Sequence, residues 1–383
     1  MKNDSLVPTF KNIEIEYLRA IAIIFTLIHH AMDHIVIDRA TTGSHFSGIT
    51  FWGGVDLFFA ISGFVIMTKY RPMLETKNQS QFQFKTQWQL MKNFWLRRQF
   101  RILPGAIFWL VVYLFFTIYF NFQGSFGILS QNINDATSAL FQYANFYGIK
   151  CWGHPKAMEC GPNGIYWSLS LEEQFYFLLP LVIYFLKNRF FPFILSLGLV
   201  QFFWDRTPWS LGWAIRSDAI LWGTFLAYSL KSKFYKKLEP LFIIRGGSFL
   251  SFSFLCIFIF GMMYLPAEKN NFAYSTGILA LICSIMVWLS SYQKQYLFIW
   301  TPAWLSKILV WIGTRSYSIY LVHIIVFRFT WELAFLIYPK MNPLNFYSSL
   351  MLLSISVPTM IFVSDLSFKY IETPFRNYGR TKY

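Results

Sequence analysis

Apolar runs recur along this chain, most of them about 17 to 25 residues long, the length that a hydrocarbon core of ~30 Å demands of a helix. Ten are counted, at roughly 16–37, 50–68, 102–120, 167–186, 190–204, 209–230, 241–264, 272–291, 308–336 and 346–369. The fifth is short and reads as tilted, half-inserted or paired closely with the fourth. Only 13% of the 383 residues are charged, where soluble domains carry roughly a quarter, so no room remains for a large soluble domain. The first run continues past a short apolar core, contains charges and lacks a small-residue cleavage site, so it reads as a retained span, not a signal peptide. The predicted fold is all-α and polytopic: about ten transmembrane helices around a central cavity, one domain over 1–383.

Orientation follows from the Lys/Arg bias of short loops, which favours the cytoplasmic side. A basic cytoplasmic loop is expected at 69–101, with Lys69, Arg71, Lys77, Lys85, Lys92, Arg97, Arg98 and Arg101; Lys231, Lys233, Lys236 and Lys237 follow the sixth run. The tail adds Lys369, Arg376, Arg380 and Lys382, whereas the alternate side holds only scattered Arg39, Lys150, Lys156, Arg206, Lys269 and Lys340. Both termini are thereby predicted to be cytoplasmic, with 121–166 an extracytoplasmic loop. The net charge of +15 is mostly this topological signal, with some attraction to anionic lipid headgroups. Nucleic-acid binding is not expected, since no soluble basic face with reading elements is visible.

Cys151 and Cys160 bracket part of the outer loop, where an oxidising compartment permits a disulfide; two reduced thiols are the alternative, because sequence alone cannot supply the geometry. No ligand set with recognisable metal spacing appears, so no metal is expected.

Polar residues recur at one depth. At ~1.5 Å per residue, His30 falls two thirds of the way along an outward-running first helix, and Asp56 enters early in an inward-running second. Glu172 and Glu173 open the fourth, Arg216 and Asp218 the sixth, and His323 lies past the middle of an outward-running ninth. Ionisable groups in hydrocarbon are costly and mark functional sites by default, and their common depth predicts a shared cavity in the outer half of the membrane. For each Asp, Glu or Arg the alternative is a buried ion pair serving helix packing, and for His323 a hydrogen-bonded packing role. His30 is the strongest candidate, because a histidine near carboxylates exchanges protons best near neutral pH. His29 points about 100° away on the same helix, so it is expected to pack or assist.

In the inner half, Arg19 lies near the cytoplasmic mouth of the first helix, and Arg98 and Arg101 share one helical face at i, i+3. Arginine clusters recognise phosphate through forked hydrogen bonds, so a polyphosphate ligand approaching from the cytoplasm is expected; positive-inside anchoring explains any one of them alone.

Several segments together resemble integral-membrane acyltransferase family 3, typified by O-acetyltransferases of bacterial surface polysaccharides. They are Glu16-Tyr-Leu-Arg-Ala-Ile-Ala, with His30 eleven positions beyond Arg19, Gly53-Gly-Val-Asp-Leu-Phe-Phe-Ala-Ile-Ser-Gly-Phe64, and Arg98-Gln-Phe-Arg101-Ile-Leu-Pro104. Trp167-Ser-Leu-Ser-Leu-Glu-Glu-Gln-Phe-Tyr176, Arg216-Ser-Asp218, Ser316-Tyr-Ser-Ile-Tyr-Leu-Val-His323 and Glu372-Thr-Pro-Phe-Arg376 continue the order across nearly the whole chain. The resemblance implies a ten-helix enzyme of the bacterial inner membrane that takes an acyl group, most often acetyl, from cytoplasmic acyl-coenzyme A. It delivers that group to a hydroxyl of a cell-envelope glycan such as lipopolysaccharide O-antigen. By position His30 matches the family's essential histidine, Arg19 its paired arginine, and Arg98 and Arg101 its Arg-x-x-Arg motif. The chain stops just after Glu372-x-Pro, so a stand-alone form without a hydrolase-like extension is expected.

On this reading Arg19, Arg98 and Arg101 hold the phosphates of acetyl-CoA or another acyl-CoA. His30 acts as general base or briefly carries the acyl group, and Asp56, Glu172 or Glu173 orients its ring. His29, Arg216, Asp218 and His323 are supporting candidates. A transporter or flippase for a lipid-linked sugar is the alternative, since polar groups at matching depth also line substrate pathways. A structural or regulatory protein that kept the fold and lost the chemistry is a third possibility, which the intact arginine and histidine set argues against.

Overall fold

The computed structural model describes residues 12–34, 48–75, 84–153, 160–204, 206–267, 274–339 and 346–383. Among the described residues the chain is helical throughout, with no strand. The principal helices are α1 (Ile13–His34), α2 (Gly54–Glu75), α3 (Phe84–Tyr119), α4 (Leu129–Leu140), α5 (Ala144–Trp152), α6 (Tyr166–Leu186) and α7 (Phe190–Phe203). They continue with α8 (Asp218–Ser229), α9 (Gly247–Tyr264), α10 (Ser275–Ser291), α11 (Ala303–Ile337), α12 (Phe346–Ser367) and α13 (Thr373–Lys382). Lys77, Arg39, Lys156, Lys269 and Lys340, used above for orientation, lie outside the described residues.

Among the described residues, six stretches are long and apolar enough to cross a membrane: Ile13–Asp33, Gln87–Tyr119, Tyr166–Phe203, Gly247–Tyr264, Ala303–Ile337 and Tyr347–Lys382. The third contains two of the runs counted in the sequence. α6 ends at Leu186 because Lys187 takes φ +48°, and a 3-10 turn over Lys187–Arg189 leads into α7. The run at 209–230 is broken: a four-residue helix, Leu211–Ala214, and irregular backbone precede α8, which begins only at Asp218. Non-helical backbone at membrane depth is tolerated where protein buries it, and Gly212, Trp213, Ala214 and Arg216 are all buried. Residues 84–101, read from sequence within a loop, form the first half of the 36-residue α3.

Local chemistry sets the ends that matter for the site. Asn12 caps α1, its side-chain oxygen accepting from the backbone N–H of Glu14 at 3.0 Å and of Ile15 at 3.4 Å, which satisfies donors that helix geometry leaves unpaired. Between α12 and α13 a π-helical stretch, Phe368–Glu372, turns Glu372 inward; its carboxylate accepts from Ser318 at 2.9 Å and pairs with Arg376 at 3.1 Å.

α11 is the central staff: 61% of its apolar window is buried inside the protein, against 17% for α9, which therefore lies at the periphery. Helices meet in the interior through small residues, as expected where lipid supplies no hydrophobic drive for association. α2 crosses α8 at Gly63 and Gly223, where an added Cβ would run into the backbone carbonyls of Ile220 and Ala60 respectively. α11 meets α1 at Gly313, where a Cβ would strike the carbonyl of Glu16. These two crossings bring Arg19 and His30 of α1 and Asp56 and Ser62 of α2 to the protein interior.

Candidate functional site

A pocket opens between α1, α2, α3, α6 and α11. Arg19, Arg98 and Arg101 line it together. Three guanidinium groups thus converge from two helices that the sequence separates by some 80 residues. Arg19 is anchored by Glu16 at 2.9 Å. Arg98 lies over the ring of Tyr176, 4.0 Å from its centroid, with Glu172 at 3.8 Å. Glu172 also accepts hydrogen bonds from Ser62 and Tyr176, and Glu173 accepts from Gln99 at 3.0 Å.

At its other limit the cavity meets Ser168 and Tyr320, whose hydroxyls are 2.8 Å apart. Tyr320 also donates to the carbonyl of Ile165 at 2.5 Å, so the wall here is fixed by a short hydrogen-bonded chain. One turn further along α11 stands His323, fully buried. Its Nε2 lies 3.1 Å from Nδ1 of His30, and its Nδ1 lies 2.6 Å from the carbonyl of Tyr320. His30 Nδ1 is also 3.0 Å from the carbonyl of Thr26 on its own helix. Arg19 and His30 are eleven residues apart on α1, about 16 Å along the axis and almost whole turns apart. One helix therefore presents a cation at the arginine end and an imidazole beyond the Tyr320 end.

A second polar cluster occupies the crossing of α2 and α8. Arg216 and Asp56 approach to 3.3 Å, and Arg206 and Asp218 to 2.9 Å, all four side chains at most 1% exposed. The Arg216 guanidinium is enclosed by the rings of Trp213, Trp52 and Trp167, at 3.6, 4.7 and 5.0 Å from their centroids. Alternating signs let four charges share one dry environment, and the aromatic faces add cation–π attraction.

The described residues between α3 and α6 include two short helices, α4 and α5. Cys151 and Cys160 are disulfide-bonded, and Glu332 of α11 accepts from the backbone N–H groups of Gln123 and Ser125, each at 2.9 Å. Asp135 of α4 is buried, and burial pushes its carboxyl up to about 7 against the restraining backbone N–H groups of Asn163 and Gly161.

The sequence-derived candidates thus separate into groups. Arg19, Arg98, Arg101 and Glu172 share the cavity, whereas Glu173 accepts from Gln99 and does not line it. His30 and His323 form a pair across α1 and α11. Asp56, Arg216 and Asp218 belong to the charge cluster, where Asp56 faces Arg216. His29 is 3.9 Å from Asp33, turned towards a carboxylate of its own helix. Arg206, counted from sequence as an outer-loop cation, is buried and joins Asp218. Ser62, Tyr176 and Tyr320 carry no formal charge and so escaped a search for ionisable groups, although all three lie in the motif segments quoted above.

Residues 12–363 match the family described as an acyltransferase domain. The chain is 28% identical over 358 residues to the peptidoglycan O-acetyltransferase OatA of Listeria monocytogenes serovar 1/2a, covering 86% of this chain and 52% of that protein. It is 31% identical over 356 residues to the O-acetyltransferase OatA of Staphylococcus aureus (strain NCTC 8325 / PS 47), covering 85% and 53%. The chain therefore spans about half the length of these curated relatives. No solved structure gives a significant match.

Proposed function

Since the chain belongs to acyltransferase family 3, whose domain matches it over residues 12–363, we propose that it is a membrane O-acyltransferase transferring an acyl group from cytoplasmic acyl-coenzyme A, acetyl-coenzyme A foremost, to a hydroxyl of a cell-envelope glycan. Its location on this reading is the bacterial inner membrane, crossed by ten segments with both termini in the cytoplasm. The acceptor is a polysaccharide of the envelope. Peptidoglycan, named for the Listeria relative, stands beside lipopolysaccharide O-antigen as the glycan to test.

The observation that carries this reading is the two-ended arrangement: one cavity holds Arg19, Arg98 and Arg101, and its far wall at Ser168 and Tyr320 adjoins the His30–His323 pair. Guanidinium groups bind phosphate with paired, charge-assisted hydrogen bonds, so the arginine end suits the nucleotide and 3′-phosphate of coenzyme A. The pantetheine arm then runs along α1 towards His30. His30 takes the proton of the acceptor hydroxyl, and the oxygen attacks the thioester carbonyl. The carbon–sulfur bond breaks as the tetrahedral intermediate collapses, and the departing thiolate recovers the proton from His30. The products are an O-acyl ester and free coenzyme A.

Binding to the purified protein in lipid nanodiscs tests the donor assignment. Coenzyme A is expected to bind at least about 10-fold more tightly than pantetheine, since hydrogen bonds to charged groups contribute ~1.5–3 kcal/mol. Arg101→Ala is expected to narrow that gap. Equal binding of the two, or binding of neither, contradicts the assignment.

A further inference from the structure

The proton positions on the two histidines follow from their partners. A backbone carbonyl only accepts, so His323 Nδ1, 2.6 Å from the Tyr320 carbonyl, must carry a hydrogen. Neutral His323 therefore has its lone pair on Nε2, the atom that faces His30 at 3.1 Å. His30 Nδ1 in turn lies between two acceptors, that lone pair and the Thr26 carbonyl at 3.0 Å, and so it also carries a hydrogen. The lone pair of neutral His30 is left on Nε2.

We propose that His323 is the positioning residue of the reaction: through its Nε2 it fixes the ring of His30 and its Nδ1–H tautomer, making His30 Nε2 the atom that removes the acceptor's proton. This extends the function proposed above and depends on it for the word reaction, though not for the tautomer. In hydrolytic triads a buried carboxylate supports the basic histidine in this way; here a neutral imidazole held by a carbonyl takes that place. When His30 becomes imidazolium, its Nδ1–H keeps both acceptors. The proton cannot travel on through His323, because the Tyr320 carbonyl beyond it does not take a proton. It therefore remains within the His30–His323 pair, ready for return to the leaving thiolate.

His323 is fully buried, between α1 and the Tyr320 turn, so its replacement is chosen to keep volume. His323→Gln keeps an acceptor oxygen near the place of Nε2, whereas His323→Phe keeps a ring and removes the acceptor. Nitrogen-15 NMR of histidine-labelled protein in nanodiscs reads the tautomer, with His30 assigned by the signals lost in His30→Asn. His30 is expected to show a protonated Nδ1 and an unprotonated Nε2 in the intact protein, and Nε2–H signals are expected to appear in His323→Phe. Turnover of His323→Phe is expected to fall on the order of 100-fold at unchanged KM for the acyl donor, with His323→Gln recovering most of it. A protonated Nε2 on neutral His30 in the intact protein overturns the proposal, as does a His323→Phe variant with unaltered His30 signals. Both of those outcomes are read without any acyl transfer, so they stand apart from failure of the enzyme reading, which would show as an inactive intact protein.

Discussion

Arg216 Nη2 lies 3.3 Å from Asp56 Oδ2 where α2 crosses α8, with both side chains essentially removed from solvent. Deleting one charge of such a pair strands the other, which typically costs about 3–5 kcal/mol, whereas replacing both with apolar groups of similar volume is often close to neutral. Asp56→Leu is therefore expected to lower the thermal midpoint in detergent strongly, and Asp56→Leu combined with Arg216→Met to recover much of the loss. A double variant as unstable as the sum of the two singles contradicts a packing role for the pair.

Asp135 of α4 gives the protein a defined pH response. Its carboxyl is raised from 3.8 to about 7, chiefly by burial. Between those two values the folded protein keeps a proton that the unfolded chain has released, so its contribution to stability falls as pH rises through that window. The full effect, present above pH 7, is on the order of 4 kcal/mol. Asp135→Asn does not titrate, and is expected to gain stability relative to the parent as pH is raised from 4 to 7. A difference in midpoint that is constant with pH would exclude Asp135 as the titrating group.

Four cysteines with one bridge predict a definite thiol count. In denatured protein, maleimide is expected to label two sites, Cys256 and Cys283, without reductant and four with it. Four sites without reductant would mean that Cys151 and Cys160 are unpaired.

Most of the helical framework is legible in the sequence, because length and apolarity are local properties that a bilayer reads directly. The arginine end was legible too, since Arg98 and Arg101 share a helix and their spacing fixes their common face. The pairing of His30 with His323 is not: the two lie 293 residues apart in sequence, and sequence reasoning points instead to a carboxylate from Asp56, Glu172 or Glu173. In the structure Asp56 faces Arg216, Glu172 accepts from Ser62 and Tyr176, and Glu173 accepts from Gln99. Choosing among four polar side chains of similar depth requires the helix crossings, and those depend on Gly63, Gly223 and Gly313, which carry no signal of charge or hydropathy. The break before α8 was hidden for a related reason: Leu211–Ala214 is apolar enough to continue a span, and the interruption follows from burying Arg216 and Asp218 beside it.

Acyl transfer in membranes containing either the intact protein or His30→Ala tests the central claim most directly, with labelled acetyl-coenzyme A as donor and envelope glycan, peptidoglycan and O-antigen separately, as acceptor. Loss of a general base typically costs 10²–10⁴-fold, so label is expected to enter one of these glycans with the intact protein and to fall by about that factor in the variant, at equal membrane content. Undiminished transfer by His30→Ala would contradict the assignment of His30 as the group that activates the acceptor.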